Sequence, residues 1–315
     1  MAGQIWATNS LGGYMYSDNL SNTLRIAMQP LMRFRQQCSL ESAVGKNKGQ
    51  TFNWNIYSKV KTKGGRIGEQ DIMPETNFDI TQGSMTIYQF GNSIPYTGLL
   101  NDLSQHPIES IINKVVKNDA NDVMETEAHQ QFDNTLLTVT PESGTSTTAI
   151  TVEVTGTPTA TNNVALGKTH VKLIVDEMKE RNIPAADGSN YMAIGRPTAL
   201  RNLKDDLEAI SQYVQEGFGS IMNGEVGRSY DGVRFLEQTG VASEGWTNAK
   251  SDAVYFFGDD TVTEGMAVPE EIRGKIPTNY GLSKGIAWYA LGGFAIIHNQ
   301  AGAEQNRILK WASAA

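Results

Sequence analysis

The sequence predicts an α+β fold, and three observations carry that prediction. Residues 45–98 read as a long, glycine-punctuated pair of strands. One amphipathic helix of unusual length follows over about 104–133. Beyond Gly167, short helices and strands alternate as in a compact α/β unit.

The N-terminal region, to about Gly45, mixes apolar and polar residues around Leu20, Leu24, Ile26 and Met28, and Pro30 interrupts any helix there. It is expected to be an extended arm with a short helix, with Arg33 and Arg35 flanking Phe34. Next, Phe52, Trp54, Ile56 and Val60 alternate with Asn53, Asn55, Lys59 and Lys61, the period of a strand with one apolar face. A basic tip follows: Lys59, Lys61, Lys63 and Arg66 around Gly64 and Gly65. The return limb, residues 77–90, carries Phe78 and Ile80, then changes parity to Met85 and Ile87 around Gly83, where a bulge is expected. Ile94, Pro95 and Tyr96 close the segment. An isolated hairpin is marginal in water, so its apolar face needs a cover, from the rest of this chain or from another copy of it.

In the long helix, Ser104 is placed to cap the start and Pro107 sits where a missing N–H costs nothing. Ile108, Ile111, Ile112, Val115, Val116, Ala120, Val123, Met124, Ala128 and Phe132 recur at spacings of three and four. That is one stripe over about 39 Å at 1.5 Å per residue, a strut. From Thr135 to Thr161 threonine dominates, and Ile150, Val152 and Val154 alternate with polar residues. A surface insertion or strand pair is expected there. Val171, Ile174, Val175 and Met178 mark a helix, residues 191–194 a buried strand, and Leu200, Leu203, Leu207 and Ile210 a second helix. Strands are expected at 233–236 and 254–257, and a strand pair broken at Gly292 and Gly293 within 286–297.

The bulk numbers exclude several function classes. The chain has 315 residues, 39% hydrophobic and 19% charged, enough for a sizeable core. A net charge of −8 argues against a protein that grips a phosphate backbone. Cys38 is the only cysteine, so it can form no intramolecular disulfide and no cysteine-based metal site. Residues 1–6 lack a signal-peptide pattern, and the apolar window 286–297 is too short and glycine-rich to span a bilayer. The chain reads as cytosolic.

Catalytic patterns are missing as well. Gly167-Lys168-Thr169 resembles the end of a phosphate-binding loop, but the glycine the motif needs is replaced by Asn162. His106, His129, His170 and His298 show no metal-ligand spacing, and His129 is expected to be a solvated partner of Glu125. Gly219-Ser220 lacks the second glycine of a nucleophile elbow. Asp205-Asp206 reads as a helix face and Asp259-Asp260 as a turn. No cofactor, metal or enzymatic activity is expected; a hydrolase would need a convergent polar cluster that the sequence does not display. The basic tip has two readings: a solvated edge that resists aggregation, or a partner for acidic surface on a neighbouring copy, which Glu69, Asp71, Glu75 and Asp79 could supply.

Local wording adds a resemblance. Leu11-Gly12-Gly13-Tyr14, the run from Gln29 to Arg35, Gly45-Lys46-Asn47-Lys48-Gly49, Ile80-Thr81-Gln82-Gly83-Ser84 and the run from Gly91 to Gly98 look like a podophage-associated coat family. Gly224-Glu225-Val226-Gly227 followed by Tyr230 to Phe235 resembles that family's compact domain. The chain thus resembles, nearly full length, the major capsid proteins of tailed bacteriophages, which have the Hong Kong 97-type fold.

The resemblance implies an N-terminal arm (1–47), an extended hairpin loop (48–98), a peripheral domain with the spine helix and Thr-rich segment (99–166), an axial α/β domain (167–285) and returning strands (286–315). It further implies hexamers and pentamers closing an icosahedral shell around double-stranded DNA, made in the host cytoplasm and located in the virion. Portal and scaffolding proteins, and a decoration protein, are the implied partners; DNA would be enclosed without sequence-specific binding, and no membrane is involved. The inter-subunit contacts expected are Phe52, Trp54, Ile56, Lys59, Lys61, Lys63, Arg66, Glu69, Asp71 and Tyr88. An encapsulating nanocompartment or another phage structural component is the alternative.

Overall fold

The computed structural model describes residues 32–41, 47, 49–69, 71–211, 229–241, 252–298 and 305–313. Most of the expected arm, the 224–227 phrase and the Ile210 side chain lie outside the described residues. In chain order the strands are β1 (Ser39–Glu41), β2 (Thr51–Val60), β3 (Phe78–Thr86), β4 (Tyr88–Thr97), β5 (Leu137–Pro141), β6 (Ile150–Glu153), β7 (Tyr191–Gly195), β8 (Ser229–Tyr230), β9 (Val233–Glu237), β10 (Val254–Phe257), β11 (Val262–Gly274), β12 (Ser283–Ile296) and β13 (Ile308–Trp311). The helices are α1 (Gly98–Leu103), α2 (Ile108–Asp133), α3 (Lys168–Glu180) and α4 (Arg201–Ser211).

Among the described residues the strands form three sheets. One runs β1-β11-β12-β4, one β6-β5-β13-β10-β7-β9-β8, and the third is the β2-β3 hairpin. Helix α2 is the expected strut, and its burial follows a strict four-residue ridge: Ile108, Ile112, Val116, Ala120, Met124, Ala128 and Phe132. Each step of four residues advances about 40° around the axis, so the ridge winds roughly 240° over its six steps. The helix therefore presents different sides to its neighbours along its length. Its middle packs on β12 and β4, where Trp288 Nε1 donates to Asp119 at 2.7 Å. Its C-terminal end meets Phe257 of the larger sheet through Phe132, with ring centres 5.1 Å apart. Val115, on the predicted stripe, is half-exposed.

Ser104 does not cap this helix. It ends α1, a short helix that the sequence reading missed, and its hydroxyl bonds the backbone of His106. Pro107 begins the strut without a side-chain cap.

The Thr-rich segment is a strand pair, with β6 half-exposed at the sheet edge and β5 inside the sheet. β5 is buried along its whole length between β13 and β6, and Thr135 Oγ1 donates to the Ile308 carbonyl at 2.6 Å. β-branched threonine suits a strand covered on both faces. This segment thus joins the sheet of the compact α/β unit, while β11, placed by sequence in that unit, pairs with β12 over the spine helix. Nor does β12 break at its glycines. It runs through both, because a Cβ on Gly293 would lie 2.3 Å from the Thr86 carbonyl and one on Gly292 would meet the Met266 side chain. The glycines allow a close crossing.

His129 is half-buried, and its ring nitrogen meets Tyr255, not Glu125. Its Nε2 lies 3.1 Å from Tyr255 Oη, which donates to Asp133 at 2.6 Å, and its ring sits 4.7 Å from that of Phe34. Glu125 instead is buried and accepts the backbone N–H groups of Arg33, Phe34 and Arg35 at 2.6, 2.8 and 3.0 Å, with Gln238 Nε2 at 2.9 Å. Hydrogen bonds to a charged acceptor contribute more than neutral ones. Glu125→Gln turns one acceptor into a donor facing N–H groups, so it is expected to lower the unfolding free energy by about 2–4 kcal/mol. It should also speed proteolysis near Arg33 and Arg35; unchanged denaturant midpoints and cleavage rates would refute the clamp.

Burial pushes the pKa values of His129, His170 and His298 below the usual histidine value, helped at His298 by nearby Arg307. The unfolded chain then binds more protons than the folded one below about pH 6.5, so stability is full above that pH and falls as pH drops through it. The slope is at most about 1.4 kcal/mol per pH unit per histidine. Urea midpoints should fall between pH 7.5 and 5.5, where carboxylates scarcely titrate; a flat profile would contradict three neutral imidazoles.

Candidate assembly interface

The hairpin strands pair antiparallel, with Phe52 opposite Met85, Trp54 opposite Gly83 and Tyr57 opposite Ile80. Phe52 and Trp54 point inward and pack with Met85, Ile87, Ala267 and Ala295. Trp54 Nε1 donates to the Ile297 carbonyl at 3.0 Å. Their cover is therefore this chain itself, because β3 continues directly into β4 and lays the hairpin base across β12. Gly83 marks no parity change. A Cβ there would sit 2.4 Å from Trp54 Nε1, so the glycine is the space in which the indole lies. Ile56 shares this face and, with Trp54, Asn55 and Tyr57, lines a cleft of about 550 Å³ against Ser39–Glu41, Asp260, His298 and Arg307.

The irregularity falls on the outgoing strand, between Tyr57 and Val60, where the partner advances only from Ile80 to Phe78. One extra residue transfers Val60 from the face of Phe52 to the face of Tyr57. Tyr57, Val60, Phe78 and Ile80 then share one outward face, and all are more than half exposed. Sequence reasoning assigned Val60 to the inner face and left Tyr57 out. The exposed Phe78 and Ile80 were the available signal, since their parity disagreed with Met85.

The remaining predicted residues are distributed as follows. Lys59, Lys61, Lys63, Arg66, Glu69 and Asp71 are exposed on the projecting loop. Lys61 pairs at 3.0 Å with Asp79 of its own hairpin, and Asp71 accepts the Gly68 N–H at 2.9 Å. Tyr88 is exposed on β4, opposite Gly292 of β12 and off the hairpin. A second exposed apolar set lies at the β11–β12 turn: Ile272, Ile276, Tyr280 and Leu282.

Among the described residues no three His, Cys, Asp or Glu side chains come together as a metal site, and no helix is long and apolar enough to cross a membrane. The phosphate-loop-like segment is the start of α3, where His170 Nδ1 accepts the Gly167 N–H at 3.2 Å and Nε2 donates to the Ser146 carbonyl at 3.0 Å. A neutral imidazole fills the place a phosphate would need. Burial also raises the Cys38 thiol far above its ordinary pKa, which keeps it protonated.

No family model and no curated protein matches the chain. Solved structures do. The chain is similar to a capsid chain of cyanophage Pam1 at 14% identity and a TM-score of 0.67, over 97% of this chain and 99% of that one. It is similar to a head chain of Helicobacter pylori bacteriophage KHP40 at 11% identity and a TM-score of 0.68, over 98% of each. The capsid chain of Ralstonia phage GP4 follows at 12% identity and a TM-score of 0.65, over 98% of each. The chain carries the fold of phage capsid chains, as the Hong Kong 97-type expectation required.

Gly83→Ala should displace the Trp54 indole and break its bond to Ile297. The expected cost is about 1–3 kcal/mol, with a red-shifted tryptophan emission that a Trp54→Phe background abolishes. An unshifted spectrum would show that the hairpin base is not seated as described.

Proposed function

We propose that this chain is a major capsid protein that self-assembles, as hexamers and pentamers, into an icosahedral shell enclosing a phage double-stranded DNA genome. The observation that carries this reading is the end-to-end likeness to phage capsid chains, 97% of this chain against 99% of the Pam1 chain. Two supports are independent of it. The hairpin and the β11–β12 turn expose large apolar side chains that a solitary soluble chain leaves unpartnered. A net charge of −8 suits a container that must release nucleic acid.

In this reading the neighbouring copy meets the outward face of Tyr57, Val60, Phe78 and Ile80 and the charged loop Lys59, Lys61, Lys63, Arg66, Glu69 and Asp71. Phe52, Trp54 and Ile56 hold the hairpin to its own body, so that the face is presented at a fixed angle; Tyr88 contributes from the β4 edge. Burying a few hundred Å² of apolar area gives several kcal/mol at about 25 cal/mol per Å² before ordering costs. Repeated around a closed shell, such contacts suffice. Portal and scaffolding proteins are the partners of assembly in this reading, and the subunit is made in the host cytoplasm.

Electron microscopy of the purified chain, alone and with its scaffold, tests the reading: capsomers or closed particles are expected, and a permanent monomer would overturn it. Particles filled with protein cargo instead of DNA would point to a nanocompartment. Deleting residues 59–75 should leave the circular dichroism of the body intact and abolish particles; unchanged shells would refute the role given to the hairpin.

A further inference from the structure

A second cleft, of about 520 Å³, opens between the hairpin stem and the compact body, and among the described residues its lining has no carboxylate. Tyr57 and Lys59 of β2 form one wall; Arg181, Pro184, Asn306 and Arg307 form the other. Lys59 makes no ion pair among the described residues. Two carboxylates stand behind the other two cations. Arg181 Nε donates to Glu177 at 2.6 Å, and Arg307 Nη1 reaches Asp260 at 3.4 Å and the Asp259 carbonyl at 3.1 Å. Three cations against two carboxylates leave a positive excess, and each guanidinium keeps further N–H donors for a ligand. The carbonyls at the end of α3 do not cancel that excess. Those of Glu177, Met178 and Lys179 accept the backbone N–H groups of Arg181, Ile183 and Asn182 at 3.0, 3.0 and 2.9 Å.

Asn306 is the most buried residue of this lining, at 1% exposure. Neither its amide nitrogen nor its amide oxygen finds a partner among the described residues. Buried polar groups are paired almost without exception, so an amide orphaned at both atoms beside three cations marks a ligand position.

The donors and acceptors select the ligand. Lysine and arginine only donate, so they call for an oxyanion. The Asn306 amide both donates and accepts, so the ligand must offer an acceptor and a donor together. Inorganic phosphate at neutral pH keeps one O–H beside its charged oxygens. Sulfate and the phosphodiester backbone of nucleic acid carry acceptors only, and a phosphate monoester loses its last proton above about pH 6.

We infer that the cleft between the hairpin stem and the body is a binding site for inorganic phosphate. Lys59, Arg181 and Arg307 donate to its charged oxygens, and the Asn306 amide donates to one oxygen and accepts the O–H. The bound ion touches both walls and so ties the stem to the body. The site belongs to a single chain, so it does not depend on the shell reading.

Isothermal titration calorimetry of the full chain with sodium phosphate at pH 7.5 tests the site. Saturable binding is expected; heats no larger than those of sodium chloride would overturn it. Lys59→Gln and Arg181→Gln should each weaken binding about tenfold. Lys114→Gln, exposed on α2 away from the cleft, should leave it unchanged. Equal weakening by Lys114→Gln would reduce the effect to net charge and overturn the site. Asn306→Leu removes both orphaned atoms at similar volume, and phosphate should then bind no better than sulfate. A wild-type chain that binds sulfate as tightly as phosphate would overturn the part given to Asn306. A short DNA duplex should fail to displace phosphate; displacement would assign the cleft to nucleic-acid phosphates instead.

Discussion

The Glu125 carboxylate is the junction on which the rest of the chain depends. It lies inside the spine helix stripe, where a charged group is costly unless hydrogen-bonded. Its cost is offset by four donors from two distant parts of the chain: three consecutive N–H groups of 33–35 and the Gln238 amide. The helix, the segment that enters β1, and the end of β9 are thereby fixed at one point. Phe34 is held between His129, Phe132 and Tyr255 by the same segment. Arg35, turned the other way, bridges Glu264 at 2.6 Å and Glu270 at 2.5 Å on β11. Burial opposes that charge, yet the two carboxylates hold the guanidinium above even its usual high pKa. Three residues thus tie both large sheets to one helix.

That arrangement explains why the strut can be so long and so modestly amphipathic. A ridge of strict four-residue spacing cannot face one flat surface over its whole length, because it winds. Here two sheets, met in succession, receive it: first β4 and β12, then the larger sheet through Phe257. The helix is a shared wall between two layers. β12 carries the load at the other end, since it accepts β4, β11 and the crossing of β3 together.

Much of this was legible in the sequence, and the misses have specific causes. Period two found β2, and period 3.6 found α2, α3 and α4, because each has a face in contact with a core. The helix start was misplaced since Ser104 reads as a cap, whereas it ends α1 and Pro107 begins the strut. Gly292 and Gly293 look like breakers in a one-dimensional pattern; only the crossing of Thr86 reveals that they make room. Thr138 and Thr140 read as surface because threonine is polar, although both sit fully buried in β5. The bulge was sensed from Met85 and Ile87 but assigned to the wrong strand, and that error hid Tyr57 and Val60 from the candidate interface. Long-range partners such as Glu125 with residues 33–35 leave no local pattern at all.

The inner and outer faces of the hairpin divide two tasks that one alternating pattern would have merged. Before the bulge, apolar residues face inward and seat the base on β12, with Trp54 locked by Gly83 and Ile297. Tyr57 and Ile80 already face outward there, and past the bulge the extra residue brings Val60 to the same exposed face beside Phe78. Had the register continued unbroken, Val60 would share the face of Trp54. A single inserted residue therefore separates anchorage from presentation. The same hairpin is thereby anchored to its own body by one face and leaves the other face exposed.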